Sequence, residues 1–182
     1  MRDIKVGIIG CGGIANGKHL PSLKSLPFVK IVAFCDLIVE RAEKAAKEYG
    51  VEGARVYTDY KELLAKEPEI EVIHVLTPNR SHSPITVDAL NSGRHVLCEK
   101  PMAICEADFE EMMTAAQENG VVLMEAMRPA HSPGLTLVRQ LMGRIGTVRR
   151  ATLQFCQYSS RYDKFRRGIV ENAFNPTLAN GA

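Results

Sequence analysis

The sequence has 182 residues, of which 46% are hydrophobic, and a formal net charge of +2, which suits one full domain of roughly 100–150 residues and part of another. It has neither the ~20 consecutive apolar residues of a membrane-spanning helix nor a secretion signal at its N-terminus, so we expect no membrane association and a cytoplasmic location. The five cysteines include no C-x-x-C pair, and no His, Cys and Asp cluster has metal-ligand spacing, so we predict neither a disulfide framework nor a metal site.

The first elements of the chain predict a corner that binds a dinucleotide. An apolar run at residues 4–9 predicts a buried strand, Gly10-Cys11-Gly12-Gly13-Ile14-Ala15 follows it, and residues 14–26 form a predicted helix. In such a G-x-G-x-x-G/A turn the first glycine allows the tight turn, the second lets the backbone approach a pyrophosphate, and Ala15 lets the helix pack on the strand. The N–H groups at the start of the helix face the phosphates. A glycine turn without a ligand is the alternative. The residues assigned to the dinucleotide are Gly10, Gly12, Gly13 and Ile14.

A second predicted strand, Val29–Cys35, ends directly before Asp36. Asp36 lies 21 residues after Ala15, and an acidic residue about 20 residues beyond the glycine turn holds the ribose diol in dinucleotide-binding folds. We therefore predict that Asp36 binds a ribose.

Strands and helices then alternate as far as residue 124. The remaining predicted strands are 55–57, 70–76, 95–98 and 121–124, and the predicted helices between them are 39–49, 60–66, 84–91 and 106–119. This alternation is typical of a doubly wound α/β fold with a parallel sheet. We predict that residues 1–126 form the dinucleotide-binding domain.

The pattern changes after Glu125. Residues 133–142 predict a helix, and residues 147–158 alternate apolar and polar side chains, as a long half-exposed strand of an open sheet does. A single strand cannot bury its apolar face alone. We therefore expect residues 127–182 to be the incomplete start of a second domain, because the chain is a fragment or because a partner chain completes the sheet.

The basic residues are concentrated in this second part. Residues 1–126 hold 14 Lys and Arg against 19 Asp and Glu, whereas residues 127–182 hold nine against two. A basic segment can bind nucleic acid, but these residues are spaced out and form no recognisable nucleic-acid motif. We favour a solvated or partner-facing surface and expect no nucleic-acid partner.

Polar residues that could carry chemistry follow several of the predicted strands. In an open parallel sheet, ligands bind at the carboxyl ends of the strands, where Asp36, Thr77-Pro78-Asn79 and Glu99-Lys100-Pro101 all lie. Lys100 could protonate or hydrogen-bond a substrate hydroxyl or carbonyl, with Glu99 orienting it, although an ordinary surface pair is the alternative. Further candidates, each with a purely structural alternative, are Asn79 and His82 as partners of a ribose or amide, and Arg128 near the coenzyme or substrate.

These motifs, in this order, resemble the Gfo/Idh/MocA oxidoreductase family. The resemblance rests on Gly10 to Ala15, on Asp36, on Thr77-Pro78-Asn79-Arg80-Ser81-His82 and on Glu99-Lys100-Pro101, and the segments 124–128 and 143–146 add to it. It covers essentially the whole chain. It implies an N-terminal Rossmann domain followed by an α/β domain with a large open sheet.

The resemblance also implies a reaction and a set of site residues. The reaction is NAD(P)-dependent hydride transfer at a hydroxyl-bearing carbon of a sugar, cyclitol or diol, with Lys100 as the catalytic lysine. Glu99 and Pro101 shape its loop, Thr77, Pro78, Asn79 and His82 line the coenzyme path, and Arg128 lies near the nicotinamide. Asp36 favours NAD because a carboxylate repels the 2′-phosphate of NADP, although Arg41 leaves NADP possible.

Members of this family usually continue into a D-x-G-x-H segment or its tyrosine variant, which this sequence does not contain. We therefore expect the chain to bind NAD but to be a poor dehydrogenase by itself, and we expect the full-length protein to be a homo-oligomer. The alternatives are a non-catalytic NAD(P)-binding regulator and a basic-tailed nucleic-acid-binding protein.

Overall fold

The computed structural model describes residues 2–159 and 161–170, and a sheet of six parallel strands lies at its centre. The strands are β1 (Ile4–Ile9), β2 (Val29–Cys35), β3 (Arg55–Tyr57), β4 (Val72–Val75), β5 (His95–Cys98) and β6 (Leu123–Glu125). Their order in the sheet is β3-β2-β1-β4-β5-β6, which is the order of a dinucleotide-binding Rossmann sheet. The chain therefore adds strands on one side of β1 first and then crosses to the other side at β4.

Helices cover both faces of this sheet. The helices that pack on it are α1 (Leu20–Lys24), α2 (Val39–Tyr49), α3 (Tyr60–Lys66), α4 (His82–Asn91) and α5 (Glu106–Glu118). Two further helices, α6 (Pro133–Leu141) and α7 (Tyr162–Arg166), follow the last strand and have no buried residues. A π-helical turn, Ala15–His19, precedes α1, and 3-10 turns lie at Asn79–Ser81, Arg128–His131 and Met142–Arg144. The predicted cap of α3 is confirmed, because the Asp59 carboxylate accepts the Lys61 N–H at 2.8 Å.

Two apolar clusters hold the helices against the two faces. Successive side chains of a strand point to opposite faces, so Ile8 and Ile9 of β1 enter different clusters. Ile8 packs with residues of β2, α1 and α2, whereas Ile9 packs with residues of β4, α3, α4 and α5. A sheet buried on both faces needs continuous apolar runs in its strands, which is the pattern of residues 6–9 in β1 and 31–35 in β2.

The structure confirms the predicted fold class and most predicted elements up to residue 125. It differs at the first helix, which contains a π-helical turn, and at the last strand of the sheet, which is Leu123–Glu125. No helix in the described ranges is long and apolar enough to cross a membrane.

The prediction of a long strand at residues 147–158 is wrong. This segment has no regular secondary structure, and Leu153 and Phe155 are 95% and 89% exposed. An extended segment becomes a strand only when a neighbour accepts its backbone hydrogen bonds, and within residues 2–159 and 161–170 no segment pairs with it. The domain boundary at residue 126 stays a prediction.

Candidate functional site

Most of the site residues predicted from the sequence lie along one edge of the sheet. Gly10, Thr77 and Glu99 follow β1, β4 and β5, which are neighbours in the sheet, and Asp36 follows β2 on the other side of β1. Backbone hydrogen bonds fix these strand ends to one another, with Gly10 N–H on the Cys35 carbonyl at 2.8 Å and Glu99 N–H on the Val75 carbonyl at 2.9 Å. The residues therefore meet at the carboxyl edge, where parallel sheets bind ligands.

Gly10 makes a turn that only glycine fits. Its φ is +97°, and a Cβ placed there would lie 2.7 Å from the carbonyl carbon and oxygen of Leu76 and 2.9 Å from the Thr77 nitrogen. These are backbone atoms and cannot rotate away. The glycine therefore serves the predicted tight turn and also a close approach of the turn to the end of β4.

Gly12 and Gly13 have the opposite surroundings. A Cβ at either position would find no heavy atom within 4 Å, so the loop presents open space on its outer side. The helical segment begins at Gly13, and the first N–H groups of a helix have no acceptor within the helix. The predicted ligand residue Ile14 is 44% exposed at the same place. An open backbone surface next to free helical N–H groups fits a pyrophosphate.

Two side chains hold the glycine loop in shape. One oxygen of Asp36 accepts the Cys11 N–H at 2.8 Å, and the other accepts the Ile38 N–H at 2.9 Å. The side-chain amide of Asn16 donates to the carbonyls of Cys11 and Gly12 at 2.7 and 2.9 Å. The glycine loop is thus held by Asp36 at one N–H group and by Asn16 at two carbonyl groups. A carboxylate has about four acceptor positions, so Asp36 keeps capacity for a ribose hydroxyl.

The cysteines near the loop do not supply a nucleophile. Burial, with the Asp36 carboxylate nearby, raises the pKa of the Cys11 and Cys35 thiols to about 12. Both are therefore protonated near neutral pH. Burial also raises the pKa of Cys98 to about 12. In the described ranges, no group of three or more His, Cys, Asp or Glu side chains could hold a metal ion.

His82, a candidate partner of a ribose or amide, lies inside the protein. It is fully buried at the start of α4, where its Nδ1 is 2.8 Å from the Pro101 carbonyl and its Nε2 is 2.8 Å from the Thr77 carbonyl. Both ring nitrogens therefore contact protein carbonyls and neither faces a ligand. His82 instead joins the loop after β4 to the loop after β5.

The loop after β4 keeps its other predicted residues partly exposed. Thr77, Pro78 and Asn79 form the start of this loop, and the Ser81 hydroxyl donates to the Pro78 carbonyl at 2.7 Å. The Thr77 hydroxyl is buried and has no hydrogen-bond partner in the structure. A buried hydroxyl without a partner is costly and needs an explanation, which a ligand at the strand end would supply.

The loop after β5 presents Lys100 to solvent. Lys100 precedes a cis bond to Pro101, and its N–H donates to one oxygen of the Glu99 carboxylate at 2.9 Å. The other Glu99 oxygen lies 2.8 Å from Nε2 of His19, at the end of the π-helical turn. His19 packs edge-on against His74, with ring centroids 5.8 Å apart. Burial, and secondarily the nearby His19, lowers the pKa of His74 to about 4.

Arg128 is not brought into contact with this group. It is exposed at the start of the 3-10 turn that follows β6, and β6 is the neighbour of β5 in the sheet. Asn16 and His19, by contrast, contact the predicted site and were missed from the sequence. Each is a polar residue inside a predicted helix, and the dinucleotide pattern specifies neither position.

Comparison with known proteins shows what this arrangement resembles. The model of the Gfo/Idh/MocA group, described as an oxidoreductase family with an NAD-binding Rossmann fold, matches residues 4–127. A scyllo-inositol 2-dehydrogenase (NADP(+)) of Bacillus subtilis is 40% identical over 179 residues, which are 98% of this chain and 53% of the relative. The mouse trans-1,2-dihydrobenzene-1,2-diol dehydrogenase is 36% identical over 156 residues, covering 84% of this chain and 46% of the relative.

A solved structure gives the same result. A 3-ketoreductase from Actinomadura kijaniata, in complex with NADP and TDP-benzene, superposes with a TM-score of 0.72 and 29% sequence identity. The match covers 79% of this chain and 43% of that one. The chain spans about half the length of the relatives that it matches.

Proposed function

The chain belongs to the Gfo/Idh/MocA oxidoreductase family, and from that membership we propose that it binds a nicotinamide dinucleotide and serves hydride transfer at a hydroxyl-bearing carbon of a cyclitol, sugar or diol. One observation carries the proposal. The glycine loop and the Lys100 loop lie at the same edge of the sheet, on strands β1 and β5 that both neighbour β4. This shared edge supports a crevice with a phosphate-binding corner at one end and a proton-donating side chain at the other.

The roles of the residues follow from where they lie. Gly12, Gly13 and the N–H groups after them would bind the pyrophosphate, with Gly10 and Ile14 shaping that corner and Asp36 next to a ribose. Thr77, Pro78 and Asn79 would line the crevice toward the nicotinamide. The dinucleotide supplies the hydride acceptor or donor when it is bound.

Lys100 would act on the substrate oxygen. Its side chain is exposed at the end of β5, so the ammonium group can donate a hydrogen bond to a carbonyl or hydroxyl oxygen placed in the crevice. Hydride removal from a carbinol carbon requires loss of the hydroxyl proton, which Lys100 would accept as the neutral amine; in the reverse reaction its ammonium group would return the proton to the carbonyl oxygen. Glu99 and Pro101 hold the loop on either side. We assign Arg128 to the nicotinamide end as a secondary contact.

We propose NAD as the preferred coenzyme, with NADP as the alternative. The Asp36 carboxylate lies where the adenosine ribose is expected, and it would repel a 2′-phosphate. The Bacillus subtilis relative is named for NADP, and the exposed Arg41 in α2 could pair with a phosphate. Titration with NADH and NADPH, followed by coenzyme fluorescence, measures the preference. Tighter binding of NADPH than of NADH would contradict the role given to Asp36.

We further propose that the protein acts on a small polyol or sugar, works in the cytoplasm and assembles as a homo-oligomer. Related proteins act on small cyclitols and diols by name. The five cysteines are all free, which fits a reducing compartment. Neither a nucleic acid nor a membrane is part of this proposal.

The test separates an enzyme from a non-catalytic coenzyme-binding regulator. We expect Lys100→Met to keep NADH affinity within about threefold, because Lys100 is exposed and away from the phosphate corner. Turnover of a cyclitol, sugar or diol is measured in the full-length protein, because the 182-residue chain is expected to be a poor dehydrogenase, and it should fall about 10²–10⁴-fold in this variant. Coenzyme binding with no Lys100-dependent turnover by the full-length protein favours the regulator. Failure to bind either NADH or NADPH refutes the proposal.

A further inference from the structure

We propose that His19 is a positioning residue that connects the phosphate-binding helix to the Lys100 loop by holding the Glu99 carboxylate. This inference rests on the proposed function, because it concerns the same crevice. It adds a residue that lies 80 positions before Glu99 in the chain and outside the dinucleotide pattern.

Two consecutive contacts link His19, in the turn after the glycine loop, to the Lys100 loop. The Nε2 atom of His19 is 2.8 Å from one Glu99 oxygen, and the other Glu99 oxygen accepts the Lys100 N–H at 2.9 Å. The side chains of His19 and Glu99 are each only 13% exposed. Both carboxylate oxygens are thus occupied, and a partly buried carboxylate with two donors has one defined orientation.

The local helix geometry brings His19 to this position. Ala15–His19 is a π-helical turn, in which backbone hydrogen bonds span one residue more than in an α-helix. The wider turn changes the direction in which its last side chain points. The buried ring of His74 packs edge-on against the His19 ring and limits its rotation.

The same turn also contacts the phosphate corner. Asn16, its second residue, donates to the carbonyls of Cys11 and Gly12. One five-residue turn therefore holds the glycine loop through Asn16 and the Lys100 loop through His19. When a coenzyme binds at the glycine loop, the backbone of Lys100 would already be held in position by the His19–Glu99 contact.

Hydrogen exchange of the Lys100 amide tests this role without any coenzyme. In the 182-residue chain, His19→Ala should speed exchange of the Lys100 N–H about threefold to tenfold, the effect of weakening one hydrogen bond. His19→Gln should keep exchange within about twofold of wild type, since its amide nitrogen can replace Nε2. Lys18→Ala, at the exposed preceding residue, is the matched control and should change nothing.

Two outcomes would overturn the inference. One is an unchanged Lys100 amide in His19→Ala. The other is equally fast exchange in His19→Ala and His19→Gln, which would indicate a general packing role. If His19→Ala does not fold, His19→Asn replaces it, because its shorter amide cannot reach Glu99; slow exchange in that variant then refutes the link.

The outcomes for His19 and for the proposed function are separable. Coenzyme titration of the wild-type chain decides whether it binds NADH or NADPH, and the exchange experiment contains neither. A chain that binds no coenzyme but shows the expected exchange pattern refutes the proposed function alone. A chain that binds coenzyme and shows no effect of His19→Ala refutes the inference alone.

Discussion

Replacing Gly10 by alanine should destabilise the fold far more than replacing a second glycine of similar backbone conformation. Gly10 and Gly53 both have positive φ, +97° and +76°. A Cβ on Gly10 meets the backbone of Leu76 and Thr77 at 2.7–2.9 Å, whereas a Cβ on Gly53 has no heavy atom within 4 Å. Both substitutions therefore place an alanine at a positive φ, but only the added Cβ of Gly10→Ala collides with neighbouring backbone atoms.

The magnitudes follow from these two contributions. A left-handed conformation costs an alanine about 1–2 kcal/mol, and this is the whole expected loss for Gly53→Ala. Forcing an extra carbon against packed atoms costs about 1–3 kcal/mol more, because the main chain of β1 or β4 has to move. We therefore expect Gly10→Ala to lower the free energy of unfolding by about 2–5 kcal/mol.

Urea unfolding followed by far-UV circular dichroism measures both losses on the same chain. The reasoning is refuted if Gly10→Ala costs no more than Gly53→Ala, since the close approach to Leu76 would then be soft. Gly12→Ala completes the set. It has open space around its added carbon, so it should leave the unfolding free energy within about 0.5 kcal/mol and weaken NADH binding.

Three further predictions concern side chains around the sheet. Asn16→Ala removes the donor to two loop carbonyls and should weaken NADH binding about threefold to thirtyfold in a fluorescence titration, whereas unchanged affinity would mean that the loop holds its shape without it. Burial lowers the pKa of His74 to about 4, so as the pH falls the unfolded chain protonates this histidine before the folded chain does. Between pH 7 and pH 5 the free energy of unfolding of the wild type should therefore fall by about 2 kcal/mol more than that of His74→Leu. Equal losses in the two proteins would contradict this. Glu67 is 1% exposed and paired with Arg55, so Arg55→Met should lower the free energy of unfolding in urea by about 1–3 kcal/mol. The double variant that also carries Glu67→Met should recover most of this loss, because the unpaired buried charge is then gone. If it recovers nothing, the buried charge is not the cause.

The sequence was sufficient for the sheet because its signals are local. The apolar runs before Gly10, Asp36 and Thr77 have the length and composition of buried strands, and each ends in a polar or glycine turn. Alternation of such strands with amphipathic helices leaves few topologies besides a doubly wound sheet. In such a sheet the glycine loop after β1 and Lys100 after β5 lie at the same edge, because parallel strands all end there.

Long-range contacts of individual side chains could not be predicted in the same way. The pairing of His19 with Glu99 joins residues 80 positions apart, and it depends on a π-helical turn that no periodicity indicates. The two ring nitrogens of His82 contact carbonyls of two separate loops, so the burial of this side chain depends on tertiary structure. The alternation at residues 147–158 predicted a strand, but a strand needs a neighbour for its backbone hydrogen bonds, which an alternating pattern cannot supply.

The dependence of Gly10 on the end of β4 also constrains how the protein matures during synthesis. The glycine loop is complete in the chain by residue 15, but the backbone that supports it, at Leu76 and Thr77, lies more than 60 residues later. A ribosome releases the first strand, helix and second strand before that support exists. A nascent chain arrested before β4 therefore carries a glycine loop that has its bonds to Asn16 and Asp36 but lacks the backbone of Leu76 and Thr77 against which Gly10 packs.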